Sequence, residues 1–184
     1  MKRVSLALVL LIAGCDSGKP PAPTAALPKL DLVDFFTGDS IGKGRIEIWF
    51  QRDKALRVVS RGRPDARGGL ILDQRIGEGA KVRQRRWVMH CASNGRCDGT
   101  LTDASGPVRV KITGNTAHIR YRMPNRLDVE QWLVLRPDRL TIDNRLRVSK
   151  WGLTIATVDE VIRRARQRVA RRPAHAKGSP QGEA

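Results

Sequence analysis

Val108-Arg-Val-Lys-Ile-Thr-Gly114-Asn115-Thr-Ala-His-Ile-Arg-Tyr-Arg122 is the stretch whose reading decides the fold. Two runs alternate apolar with basic residues around Gly-Asn, a pair suited to two-residue hairpin turns because both tolerate positive φ. Such a turn sets Thr113 opposite Thr116, Ile112 opposite Ala117 and Val110 opposite Ile119. Val108, Val110, Ile112, Ala117, Ile119 and Tyr121 then share one face. Arg109, Lys111, His118, Arg120 and Arg122 share the other. A slip of one residue would mix the faces, so the register is well specified. Arg109 opposite Arg120 is mildly unfavourable. The basic face reads either as a surface that contacts anions or as a solvated outer sheet face where salt screens the repulsion.

The same pattern extends outward from the hairpin. From about Leu30 to Val158, short apolar alternations are separated by Gly, Asn, Asp and Pro, as in an antiparallel all-β domain. Ile46, Ile48 and Phe50 alternate with Glu47, Trp49 and Gln51. Leu56 and Val58 follow, then Leu70 to Leu72, Val82 to Met89, and Leu133 with Leu135. Only 4% of the chain is aromatic but 40% is hydrophobic, so the core must be built mainly from Val, Ile and Leu. The length suits one domain with a true core.

Upstream, Leu11-Ile12-Ala13-Gly14-Cys15 reads as a lipobox. Lys2 and Arg3 form a positive leader start, and Val4 to Ile12 an apolar segment too short to span a membrane. Residues 1–14 are expected to be a lipoprotein signal peptide, with Cys15 acylated after cleavage and the protein tethered to the membrane by its acyl chains. Asp16 tilts the expected address toward the inner membrane, facing the periplasm. Residues 15–29 form a linker with Pro20, Pro21, Pro23 and Pro28, a composition that favours extended chain.

The formal charge is +17. In a cytosolic protein that would point to nucleic acid. For an exported, tethered protein the available polyanions are phospholipid headgroups, and no nucleic-acid partner is expected. An arginine-rich composition without functional meaning gives the same charge. With Cys15 lipidated, Cys91 and Cys97 remain. They flank Ala92-Ser-Asn-Gly95-Arg96, a three-residue hairpin loop that places the two cysteines directly opposite, within disulfide reach. A metal site built from His90, Cys91 and Cys97 is disfavoured because His90 points to the other strand face. No cofactor or metal is expected. No G-x-S-x-G, H-E-x-x-H or phosphate-binding glycine loop occurs, and the three histidines, His90, His118 and His175, form no catalytic set. Asp128 with Glu130 reads as surface carboxylates beside arginine.

One late segment carries more than pattern: Leu140-Thr-Ile-Asp-Asn144-Arg145-Leu-Arg-Val-Ser149-Lys150-Trp151-Gly152-Leu153. It resembles the C-terminal signature of a bacterial lipoprotein family, domain of unknown function family 3833. Phe35-Phe36-x-Gly38, Leu72-Asp73 with Gly77 and Gly79, Arg86-Trp87, and Gly99 to Gly106 fall in the family's order. Glu130-Gln131 stand before Trp132 where members carry Asp-Asp, and Trp151 replaces the usual Phe. The resemblance implies a lipocalin-like antiparallel β-barrel, here of about 8–10 strands over residues 30–160, and no established activity. Asn144, Arg145, Ser149 and Lys150 then read either as a polar lining for a ligand head or as residues that shape the barrel end with Trp151 and Gly152.

In the tail, Thr157 and Glu160 have the spacing of a capping box ahead of Val161, Ile162, Ala165 and Val169. A strand to about Val158, a short basic C-terminal helix and a polar end are expected over residues 161–184. Such a helix reads either as lying on anionic lipid or as packing on the barrel with its arginines in water, whereas the family resemblance implies a last strand here. The leading functional expectation is a membrane-anchored envelope lipoprotein that binds a small apolar or lipid-like ligand in its barrel. The alternatives are an accessory lipoprotein that contacts anionic lipid or a protein through its arginine-rich surface and, more remotely, a lipid-modifying enzyme.

Overall fold

The computed structural model describes residues 28–165. The expected signal peptide, Cys15, most of the expected linker and residues 166–184 lie outside the described residues. A short helix α1 (Leu32–Phe36) precedes ten strands: β1 (Gly38–Ile48), β2 (Lys54–Pro64), β3 (Leu70–Glu78), β4 (Lys81–Cys91), β5 (Arg96–Leu101), β6 (Val108–Thr113), β7 (Thr116–Met123), β8 (Leu127–Leu135), β9 (Thr141–Lys150) and β10 (Leu153–Arg164). Each strand pairs antiparallel with its sequence neighbours, and β10 pairs with β1 to close the barrel. Closure leaves no unpaired edge. The expected fold class and strand number are those observed.

The deciding hairpin has the register read from its sequence: Thr113 pairs with Thr116, Val110 with Ile119 and Arg109 with Arg120. Gly114 takes φ 57°, and Asn115 turns inward, donating Nδ2 to the Leu135 carbonyl at 3.0 Å. Val108, Val110, Ala117, Ile119 and Tyr121 are buried in the barrel, while Arg109, Lys111, Arg120 and Arg122 are exposed.

α1 was not legible as a helix within the strand-like pattern. Asp31 caps it, accepting the Asp34 N–H at 3.0 Å. Leu32, Phe35 and Phe36, at helical spacing, insert into one end of the barrel with Leu30. This is the helix end. The opposite, far end carries the β1–β2, β3–β4, β5–β6, β7–β8 and β9–β10 connections. Toward it, Ile46, Leu56, Val58 and Ile76 form a second apolar cluster on β1–β3. Burial of each such side chain stabilises the fold by roughly 1.5–3 kcal/mol.

Two expectations are corrected. The segment from Thr157 is not a helix as far as it is described: β10 runs unbroken to Arg164. The ladders to β9 and β1 use both of its edges, and Thr154, Ile155, Thr157, Val158, Val161 and Ile162 are β-branched. Glu160 bonds Asn144 across the barrel wall instead of capping a helix. Phe50 is also not an inward strand residue. β1 ends at Ile48, and Phe50 sits fully exposed in the turn with φ 58°.

Candidate functional site at the barrel centre

The inward-facing positions are apolar at both ends and polar in the middle. Gln74 lies between inward Leu72 and Ile76, Gln131 between Val129 and Leu133, Asn144 between Ile142 and Leu146, and Glu160 between Val158 and Ile162. Alternation along each strand aims all four at the interior. Gln131 donates Nε2 to Asn144 Oδ1 at 3.0 Å, and Asn144 donates Nδ2 to Glu160 Oε2 at 2.7 Å. On the facing wall, Gln74 Oε1 accepts from Arg85 Nε and from Trp87 Nε1, each at 2.8 Å. Gln74 Nε2 in turn donates to Ser60 Oγ at 3.0 Å. The Arg85 guanidinium also lies 5.2 Å from the centre of the Trp87 ring.

Glu160 Oε1 and Gln131 Oε1 are buried and accept no hydrogen bond. Both line a central void of about 30 Å³, together with Arg85, Gln74 and Asn144. Its apolar side is made by Leu72, Met89, Ile119, Leu133 and Ile162, and Leu32 and Phe36 of α1 close it from the helix end. That volume suits about two waters. Burial pushes the Glu160 carboxyl above the usual glutamate range, opposed by the Asn144 hydrogen bond and the field of Arg85. Burial likewise lowers Arg85 and raises the Tyr121 hydroxyl. Gly42 of β1 leaves the room that Glu160 occupies: a Cβ there would lie 1.6 Å from Glu160 Oε1.

The residues singled out in the sequence are dispersed. Asn144 joins the polar girdle. Arg145 lies on the outer wall, paired with Asp159 at 2.8 Å. Ser149 reaches the Asp128 carbonyl at 3.5 Å. Lys150 stacks over Trp151 at the far end, and Trp151 with Gly152 forms a two-residue turn with φ 50° and 81°. The signature is therefore part lining and part turn.

The basic face is interleaved with acids. Arg109 pairs across the sheet with Asp98, Arg120 opposes Glu130, and Arg122 bonds Asp128 at 2.9 Å. Lys111 lies opposite His118 and Arg96. His118 stacks on Trp132 at 5.1 Å, and Glu130 is held by Arg147. The two residues before Trp132 thus serve opposite faces, Glu130 outward and Gln131 inward. Cys91 and Cys97 form the expected disulfide, with Cα atoms 4.0 Å apart and Gly95 at φ 78°. His90 instead bonds Asp65 at 2.6 Å. Among the described residues no group of three His, Cys, Asp or Glu is placed to hold a metal.

A larger, open depression of about 850 Å³ runs along β1–β4 beside Thr102, Asp103 and Ala165, and reaches the inward Ser40, Gln74 and Arg85 as well as outer positions. Ile41 and Val59 contribute its apolar part. Along it Arg61 bonds Asp39, and Arg86 reaches Asp73, which Arg63 also contacts.

The family model described as "Protein of unknown function (DUF3833)" matches residues 9–164. The chain belongs to the DUF3833 family. This DUF3833 protein matches no curated protein sequence. Its fold is similar to the crystal structure of a DUF3598-family protein of unknown function from Nostoc punctiforme, with TM-score 0.58 and 12% identity. That alignment covers 78% of this chain, which spans about half (52%) of the other. The fold is also similar to the S-type phycobiliprotein lyase CPES from Guillardia theta, with TM-score 0.58 and 6% identity, covering 72% of this chain and 90% of that one. At such identities the likeness concerns the fold, a lipocalin-like barrel.

The girdle residues Gln74, Arg85, Gln131 and Glu160 were missed in the sequence reading. For Gln74, Gln131 and Glu160, as for Asn144, the signal is a polar residue at the middle of an inward apolar triplet; Arg85, between Arg83 and Trp87, carries no such signal.

Proposed function

We propose that this DUF3833 protein is a membrane-anchored envelope lipoprotein, tethered through Cys15, whose barrel centre seats a small, largely apolar or lipid-like molecule by a hydrogen-bond-donating head. The carrying observation is the pair of buried acceptors without donors, Glu160 Oε1 and Gln131 Oε1, at a void with one apolar side. A buried acceptor left unpaired costs about 1–3 kcal/mol, so the site favours a molecule that brings donors. The void is too small for such a molecule as it stands. Loading therefore displaces α1, whose Leu32 and Phe36 form the wall nearest the linker. Likeness to the lyase barrel supports a ligand-binding use of the fold and carries no reaction to this chain.

Native mass spectrometry of the full chain, extracted gently from its own cells, tests the reading. A bound small molecule should be present in wild type and reduced about tenfold in the Gln131→Leu variant, which removes one acceptor. A chain that carries only water at its centre, with α1 amides equally protected before and after incubation with cell lipids, would sink it. Metabolic labelling with palmitate, lost in Cys15→Ser, tests the tether separately.

A further inference from the structure

The far end of the barrel carries apolar surface that the central site does not use. Four of the large exposed hydrophobic residues lie on two turns: Trp49 and Phe50 on β1–β2, and Trp151 and Leu153 on β9–β10. The turns are neighbours, since the Trp49 N–H donates to the Ile155 carbonyl at 3.0 Å. Phe50 is fully exposed, Trp151 is 76% exposed, and both hold positive φ, a backbone region that bulky side chains avoid. The backbone conformation thus presents aromatic rings outward at positions where glycine or asparagine would be easier.

Charge surrounds these rings. Arg52 and Lys54 follow Phe50, Lys150 lies over the Trp151 ring at 4.7 Å, and Arg126 precedes Leu127, which pairs with Lys150. None of these four cations is in an ion pair among the described residues. The nearby acids are already engaged: Glu47 and Asp53 by Arg45, and Asp128 by Arg122. Indole rings partition to the headgroup level of a bilayer, and cations beside them add attraction to anionic lipid.

We infer that this aromatic, basic tip docks on an anionic phospholipid bilayer, inserting Trp49, Phe50, Trp151 and Leu153 at headgroup depth. The bilayer is the one that would hold the proposed Cys15 anchor, and to that extent the inference rests on the anchored reading. The 13 residues from Asp16 to Pro28 can span about 40 Å when extended. A strand of 11 residues such as β1 is at most about 36 Å long, so the tether reaches past the barrel. Contact at the far end would leave the helix end, with α1, free to open.

Indole fluorescence tests this on the full chain in vesicles of phosphatidylethanolamine and phosphatidylglycerol with brominated acyl chains. The tip indoles should shift to the blue and be quenched by bromine. Trp87 and Trp132, buried in the fold, should not respond. Trp49→Phe with Trp151→Phe should abolish the quenching while keeping the tip apolar. For the chain carrying Cys15→Ser, added to vesicles from solution, Lys150→Ala and Arg126→Ala should each weaken partition about fivefold. Replacing phosphatidylglycerol with phosphatidylcholine should act in the same direction. Tip indoles that keep a water-exposed emission on vesicles to which the chain is bound would overturn the inference, whether or not Cys15 is acylated. So would indole protection that rises with protein concentration in the absence of lipid, which would assign the tip to a second copy.

Discussion

At the scale of single residues, Glu160 sets the chemistry of the barrel centre. Its folded-state pKa lies above the ordinary value because burial outweighs the help of Asn144 and Arg85. A raised carboxyl contributes least when ionised. The fold should therefore lose stability as pH rises from about 4.3 through the raised folded value, because the unfolded chain releases that proton first. Glu160→Gln keeps an oxygen for the Asn144 donor and removes the charge. Melting temperatures measured from pH 4 to 9 should show the wild type falling relative to this variant as pH increases. A constant difference across that range would mean that the carboxyl is not desolvated. Gly42 is coupled to the same group: Gly42→Ala places a methyl 1.6 Å from Oε1 and 2.6 Å from Cδ. Overpacking should cost about 1–3 kcal/mol in urea unfolding, and the cost should shrink when Glu160→Ala is also present.

At the scale of elements, the β4–β5 hairpin was read correctly because its information is local. The loop length, Gly95 and the two cysteines fix one register, and the disulfide follows. It closes a short loop, with a sequence separation of 6. Replacing both cysteines by alanine should lower stability by about 2 kcal/mol, and reductant should reproduce the loss in wild type but not in the variant. β10 shows the opposite case. Thr157 and Glu160 satisfy a helix-capping pattern, yet the two free strand edges of β1 and β9 offer a ladder on each side. Only the closed sheet supplies those partners, so tertiary pairing overrides the local signal. α1 was obscured for a related reason. Its five residues resemble strand alternation until Asp31 is seen as a cap and the barrel end as the place where Leu32, Phe35 and Phe36 go.

At the scale of the whole molecule, cations outnumber acids by 17, and many of the acids on the outer wall are engaged by arginine, as in Arg61–Asp39, Arg86–Asp73 and Arg136–Asp143. Hydrogen bonds hold several aspartates below the usual range: Arg61 for Asp39, Arg86 for Asp73, the Gly69 N–H for Asp65 and Thr141 for Asp138. These groups contribute above the ordinary aspartate value, and that contribution is lost as pH falls through their lowered values. Thermal stability should therefore drop below about pH 4, and added salt should blunt the drop, since the pairs are exposed and screened. The sequence by itself determined the all-β class, the hairpin registers, the disulfide pairing and the family signature. Each depends on alternation or loop length over a few residues. Only the tertiary structure decided the rest. Barrel closure made β10 a strand. Ten inward faces brought Gln74, Arg85, Gln131, Asn144 and Glu160 from distant strands to one centre. The two apolar turns met at one end because β1 and β10, the first and last strands, are neighbours. The physical reason is range: alternation tells which way a side chain points along its own strand, and only the closed sheet tells what it faces across the barrel.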